Sequence, residues 1–218
     1  MGRGSTTAVR FGDVAFLFDD PGDSTVTIPD LAALSADETA EGRSGRGGAP
    51  EGTVTILFTD IADSTAIGER LGDRRWLEVL RMHNAIVREQ MQAQGGYEVK
   101  TAGDGFMVAF TSARRALQCA IDVQRALVPY NDDHPDAPLS VRIGLHTGEP
   151  VREADDFYGW HVNLAGRIAA SARGGEILVS SLLKGLIESA GDITFSEPRE
   201  VQFKGVSGIQ RVFAVAWQ

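Results

Sequence analysis

The sequence predicts an α+β fold in which a mainly antiparallel sheet is flanked by helices. Three features lead there: short runs that alternate apolar and polar residues, two long stretches with helical apolar spacing, and turn signals close enough together to make hairpins. Strands and helices alternate along the chain, but the hairpins argue against a doubly wound parallel sheet.

The first regular run is VTILFTD, where Val54, Ile56 and Phe58 alternate with Thr55 and Thr59 as in a strand. Ser64 follows in a turn-rich segment and reads as a helix cap. From Arg74 to Gln94, the residues Trp76, Leu77, Leu80, Ile86, Val87 and Met91 recur at roughly helical spacing, and Gly95-Gly96 ends the helix. YEVKTA and FMVAF then read as two strands joined by Gly103-Asp104-Gly105, whose glycines suit a tight hairpin. A second helix is expected from about Ala113 to Val128, followed by the polar segment NDDHPDAP and the strand LSVRIGLHTGEPV. A loop and helix in DDFYGWHVNLAGRIAASA, the strand EILVS, the helical run SLLKGLIESA and the terminal strands ITFSEPREVQF and RVFAVAW complete the reading.

The first 50 residues are different in kind. The tract SADETAEGRSGRGGAPEG is poor in large apolar side chains and reads as a linker. Before it, VRFGDVAFLFDD and STVTIPDL are β-prone runs separated by PGDS, which suggests a hairpin. The expected organisation is therefore an N-terminal extension and linker over 1–50, to which the sequence assigns no function, and one regularly patterned domain over 51–218.

Composition narrows the function classes. A net charge of −9 opposes a general nucleic-acid surface, which needs clustered lysine and arginine. No apolar run reaches membrane-spanning length and the N-terminus lacks a basic segment followed by an apolar one, so no membrane contact and a cytoplasmic location are expected. The single cysteine, Cys119, sits in the amphipathic stretch ALQCAIDVQRAL and reads as a small buried apolar residue. His83, His134, His146 and His161 fall in separate elements without metal-ligand spacing and read as structural or surface residues. Ser64 and Thr65 have no visible base partner for nucleophilic chemistry.

The carboxylates carry more. Asp60 shares the parity of Val54, Ile56 and Phe58, so a regular strand would point it with the apolar side chains. A lone carboxylate there must be neutralised or sit at an accessible strand end, a common place for a metal ligand, although a turn or cap role accounts equally well for TDIADST. Asp104, between two glycines, is by itself ordinary turn chemistry. Together, a strand-end and a hairpin carboxylate could meet on neighbouring strands, as a two-magnesium phosphoryl-transfer site requires.

VTILFTDIADST, EVKTAGDGFMVAF, VRIGLHTGE and DDFYGWHVNLAGRIA, in that order, resemble the class III adenylate and guanylate cyclases, and the resemblance runs over residues 51–218. It implies a ferredoxin-like, palm-like cyclase fold and conversion of ATP to 3′,5′-cyclic AMP and pyrophosphate. It also implies two divalent ions per site, Mg²⁺ or Mn²⁺, held by Asp60, Asp104 and the backbone carbonyl of Ile61. The turn of Ile61, Ala62, Asp63, Ser64 and Thr65 would take the β- and γ-phosphates near a helix N-terminus; many relatives carry glycine where Asp63 stands. Lys100 and Asp156 match the pair that reads adenine, lysine donating to N1 and aspartate accepting from the amino group, whereas guanylate cyclases place glutamate and a small or polar residue there. Asp155 is the neighbouring alternative, but the spacing to Gly159 favours Asp156.

Asn163 and Arg167, four residues apart and hence on one helix face, would orient the ribose and stabilise transition-state charge at the α-phosphate. Lys204 would contact the outer phosphates. The family builds its sites between two subunits arranged head to tail, so a homodimer with two equivalent shared sites is expected. The rivals are a guanylate cyclase and a catalytically silent, cyclase-like regulatory module.

Overall fold

A computed structural model describes residues 7–11, 14–18 and 48–218. Most of the tract read as a linker, and all of STVTIPDL, lie outside the described residues. The hairpin among the described residues lies within the first β-prone run, and the expected turn at PGDS lies outside them. Here β1 (Thr7–Phe11) pairs antiparallel with β2 (Val14–Phe18), and β1 lies against the helix Trp160–Ser171.

The principal sheet has seven strands: β3 (Val54–Ile61), β4 (Tyr97–Ala102), β5 (Gly105–Phe110), β6 (Val141–Gly148), β9 (Ile177–Ser180), β10 (Arg199–Val201) and β11 (Gln210–Ala214). Their order is β10-β11-β9-β6-β3-β5-β4, and every pairing is antiparallel except β6 with β9. A separate small hairpin pairs β7 (Val151–Glu153) with β8 (Asp156–Tyr158).

Strand parity sorts the core into two layers. Leu57 and Ile61 of β3, with Val141, Ile143 and Leu145 of β6, pack beneath α2 (Asp73–Ala93), α3 (Ala113–Asp133) and α5 (Ser181–Ile187). The opposite faces of the same strands carry Val54, Ile56 and Phe58, which pack against Val162, Ala165 and Ala169 of α4 (Trp160–Ser171). On β6 that face reads Arg142, Gly144, His146, Gly148. A Cβ at Gly144 would stand 2.1 Å from the backbone nitrogen of Ala169, so only glycine lets α4 settle this close to the sheet.

Two boundaries depart from the sequence reading. Helix α3 continues through Pro129 to Asp133. Tertiary contacts hold its last turn: the Asn131 side chain bonds both the N–H and the carbonyl of Leu139, and the Tyr130 and His134 rings stack. Conversely, ITFSEPREVQF yields only the three residues of β10 and one bridge between Phe195 and Val215. Pro198 interrupts the run because it cannot donate to a strand ladder. Among the described residues no helix is long and apolar enough to cross a membrane.

Candidate active site

Asp60 occupies the second-last position of β3, fully buried on the α4 side of the sheet. It stands directly opposite Arg142 in the β3–β6 register, and the shared parity of the two strands makes the guanidinium its ion-pair partner through Oδ2. The other oxygen, Oδ1, is buried with no hydrogen-bond partner. Asp104 comes from the β4–β5 hairpin, where Gly103 takes a left-handed φ of 61°. Its buried carboxylate accepts from the backbone N–H of Ile61 at 3.2 Å through Oδ2, and it also bonds Ser64.

Two buried carboxylates thus face one region. Burial first, then the charge of Asp104, pushes Asp60 up to about 7, and Arg142 offsets only part of this. Asp104 is raised too, chiefly by burial. An orphaned carboxylate oxygen beside a second buried carboxylate is a donor set that suits a hard divalent cation, which takes oxygen ligands and compensates the charge.

After Asp60 the chain turns into α1 (Ser64–Leu71). Asp63 adopts a left-handed backbone, φ 57°, without any side-chain cap to the helix. That conformation favours glycine, and aspartate is among the residues that tolerate it. Its side chain is exposed rather than turned inward. Two of the backbone N–H groups expected to meet phosphate are already engaged: that of Ile61 by Asp104, and that of Ala62 by the carbonyl of Ser140 at 2.8 Å. At the N-terminal turn of α1 helix geometry leaves N–H groups without intrahelical acceptors, an arrangement that suits an anion.

Lys100 and Asp156 meet. Lys100 Nζ donates to Asp156 Oδ2 at 2.8 Å, while Asp156 Oδ1 accepts from the N–H of Phe157. A bulge in β4 between Glu98 and Lys100 shifts the register against β5, and such bulges re-aim the side chain that follows. The Lys100 ammonium also lies 5.6 Å from the centre of the Tyr158 ring. Asp156, and not Asp155, is the partner.

Asn163 and Arg167 share a face of α4, and Asn163 Oδ1 is buried without a hydrogen-bond partner. Lys204 is exposed in the loop between β10 and β11. Its sheet edge lies four strands from β3, on the order of 19 Å at about 4.8 Å per strand. The structure brings Asp60, Asp104, Ile61 and Ser64 together and pairs Lys100, on β4 two strands from β3, with Asp156, whereas the edge strand before Lys204 is four strands away.

Two features escaped the sequence reading. Arg142 is the counter-ion of Asp60; parity within VRIGLHTG gives its face, but only strand pairing gives its partner. His146 and His161, placed in separate elements, are hydrogen-bonded to each other at 2.9 Å. No group of three or more His, Cys, Asp or Glu suited to a metal occurs among the described residues. Cys119 is buried, and burial pushes its thiol up to about 12, as expected of an inert core residue.

A model of the adenylate and guanylate cyclase catalytic domain matches residues 49–216. An adenylate cyclase of Mycosarcoma maydis is 39% identical over 157 residues, which cover 60% of this chain and 6% of that protein. Among solved structures, an adenylate cyclase from Trypanosoma brucei in its monomeric state superposes with a TM-score of 0.69 at 26% identity, covering 77% of this chain and 91% of that one. The guanylyl cyclase Cya2 superposes with a TM-score of 0.68 at 28% identity, covering 78% and 94%. The chain spans a tenth or less of the length of the fungal relatives it matches.

Proposed function

Because the chain belongs to the adenylate and guanylate cyclase catalytic domain family, we propose that it is an adenylate cyclase, converting ATP to 3′,5′-cyclic AMP and pyrophosphate at sites shared between two subunits. The observation that carries the choice of ATP is the Lys100–Asp156 pair at 2.8 Å. In the absence of substrate the two groups satisfy each other. Adenine replaces both halves of that contact, its N1 accepting from the ammonium and its amino group donating to the carboxylate. Guanine presents a protonated N1 and a carbonyl, so it leaves both groups opposed.

Asp60, Asp104 and the Ile61 carbonyl would hold two divalent cations, Mg²⁺ or Mn²⁺, which would supply positive charge to acidify the ribose 3′-hydroxyl and to stabilise the leaving pyrophosphate. Arg142 keeps Asp60 from facing Asp104 uncompensated. The N-terminal turn of α1, with Asp63, Ser64 and Thr65, seats the β- and γ-phosphates, and Lys204 reaches the outer phosphates from the partner subunit. Asn163 orients the ribose and Arg167 neutralises charge growing on the α-phosphate. The 3′ oxygen attacks the α-phosphorus in line, the bond to the pyrophosphate oxygen breaks, and the proton leaves to water or to a substrate phosphate.

The shared site follows the head-to-tail arrangement that the family resemblance implies, and the four-strand distance of the Lys204 sheet edge from β3 accords with it. Each chain carries every residue of the site, so a head-to-tail homodimer has two complete sites. The test is incubation of the purified chain with ATP or GTP and Mg²⁺ or Mn²⁺, with the cyclic products quantified. Cyclic AMP in large excess over cyclic GMP is expected. A preference for GTP would make it a guanylate cyclase, and a folded dimer without either product would make it a silent module; each refutes the proposal.

A further inference from the structure

Helix α4 carries Asn163 and Arg167, yet its start lacks the usual anchor. Its N-cap is Gly159, with φ 100° and no side chain to cap the first turn. What fixes this end instead is a polar chain reaching up from the sheet. Ser180, at the end of β9, bonds His146 Nδ1 at 2.8 Å, and His146 Nε2 bonds His161 Nδ1 at 2.9 Å. His161 is the second residue of α4, two residues before Asn163, a little over half a helical turn, and six residues before Arg167.

Ser180 Oγ accepts from the N–H of Leu183 at 3.3 Å and still has a proton and a lone pair for His146 Nδ1, so the chain from Ser180 through His146 to His161 closes with the protons running in either direction. Both imidazoles are held neutral, since burial lowers each of them, His146 to about 4. The neighbouring charged groups are Glu149 beside His161 and Arg211 at the rim of the adjoining cavity.

Packing alone does not hold these rings. They border a cavity of about 240 Å³, together with Trp160, Leu164, Ile168 and Val212. On its other side the His161 ring lies directly on the β6 backbone, where a Cβ at Gly148 would stand 2.1 Å from Nδ1. The second close approach, at Gly144 and Ala169, is apolar and lies beyond Arg167. A directional bond at one end and an apolar contact at the other define both the position and the axial rotation of the helix between them.

We propose that His161 and His146 are positioning residues for the reaction: their hydrogen bond sets the rotation of α4 and so aims Asn163 and Arg167. The inference rests on the adenylate cyclase reading for the roles of those two residues, but the clamp itself can be measured without turnover. His161→Phe keeps a ring and loses the bond, whereas His161→Asn places an amide, able to accept or donate, where Nδ1 stood. In His161→Phe, kcat for cyclic AMP formation should fall about tenfold to a hundredfold with KM for ATP changed less than about threefold, because misplacement by about an ångström costs that much. In His161→Asn, kcat should return to within about threefold of wild type. Hydrogen exchange at the amides of 163–166 should be faster by about tenfold in His161→Phe and close to wild type in His161→Asn. If His161→Phe loses the folded dimer, His161→Leu is read the same way.

A loss that only reduced the folded fraction would leave kcat per folded dimer unchanged, and that result overturns the proposal. So does equal kcat in the Phe and Asn variants, or unaltered α4 exchange. Wild-type protein that forms no cyclic AMP refutes the functional reading instead, and the exchange comparison then decides the clamp.

Discussion

Asp60→Asn should stabilise the metal-free protein at pH 8 while abolishing turnover. Asp60 is fully buried, and burial together with Asp104 pushes it up to about 7, against about 3.9 for an unconstrained aspartate. Because the folded state holds the proton more tightly than the unfolded chain, this group's contribution is favourable at low pH and is lost as pH rises from about 4 to about 7. At about 1.4 kcal/mol per unit, the ionised carboxylate costs the folded metal-free protein about 4 kcal/mol at pH 8. Replacement by asparagine removes that cost; the value of about 7 already contains the offset from Arg142, and the amide oxygen can still accept from the guanidinium. Comparing pH 5 with pH 8 isolates the charge, since at pH 5 the folded protein holds Asp60 protonated. The stability of the variant relative to wild type should rise by about 3 kcal/mol between those values. The assay is urea unfolding of both proteins in chelator, repeated with added Mg²⁺, which should stabilise wild type and leave the variant unmoved. An equal stability difference at pH 5 and pH 8, or equal stabilisation of the variant by Mg²⁺, would refute the reasoning.

Other consequences are direct. Arg167→Ala should lower kcat about a hundredfold or more with little change in KM; steady-state kinetics showing only a raised KM would contradict a transition-state role. Lys100→Glu combined with Asp156→Ser should sharply weaken ATP use, and an unchanged ratio of ATP to GTP turnover would mean that the pair does not read the base. His83 is buried with an unpartnered Nε2, and burial lowers it to about 4, so folded stability is lost as pH falls from about 6.5 to about 4. His83→Met should flatten that dependence by at most about 1.4 kcal/mol per pH unit, measured as unfolding free energy at pH 6.5 and 5.5.

The parts of the molecule legible in the sequence are those where chemistry and local period coincide. The parity of Asp60 with Val54, Ile56 and Phe58 foretold which way it points, and the glycines around Asp104 foretold a hairpin. The four-residue spacing of Asn163 and Arg167 gave their common face. What stayed hidden depends on pairing between distant segments. The partnership of Asp60 with Arg142 needs the β3–β6 register, which places positions 82 residues apart opposite each other. The meeting of His146 and His161 needs α4 to lie across β6, which in turn needs the close approaches at Gly144 and Gly148. The engagement of the Ala62 N–H by Ser140 is hidden for the same reason. At Pro129 and Pro198 the local signal for a break was the same, but the side-chain bonds of Asn131 carry one element past its proline and nothing comparable extends the other.

The shared site is the central claim, and subunit complementation tests it most directly. Asp60→Ala and Arg167→Ala proteins, each inactive alone, are mixed under conditions in which differently tagged subunits exchange. In a mixed dimer one site joins the intact aspartates of one chain to the intact arginine of the other, and the second site carries both defects. Random pairing makes about half of the dimers mixed, each with one working site of two, so cyclic AMP formation should recover to roughly a quarter of the wild-type rate. Confirmed exchange without recovered activity would contradict the account.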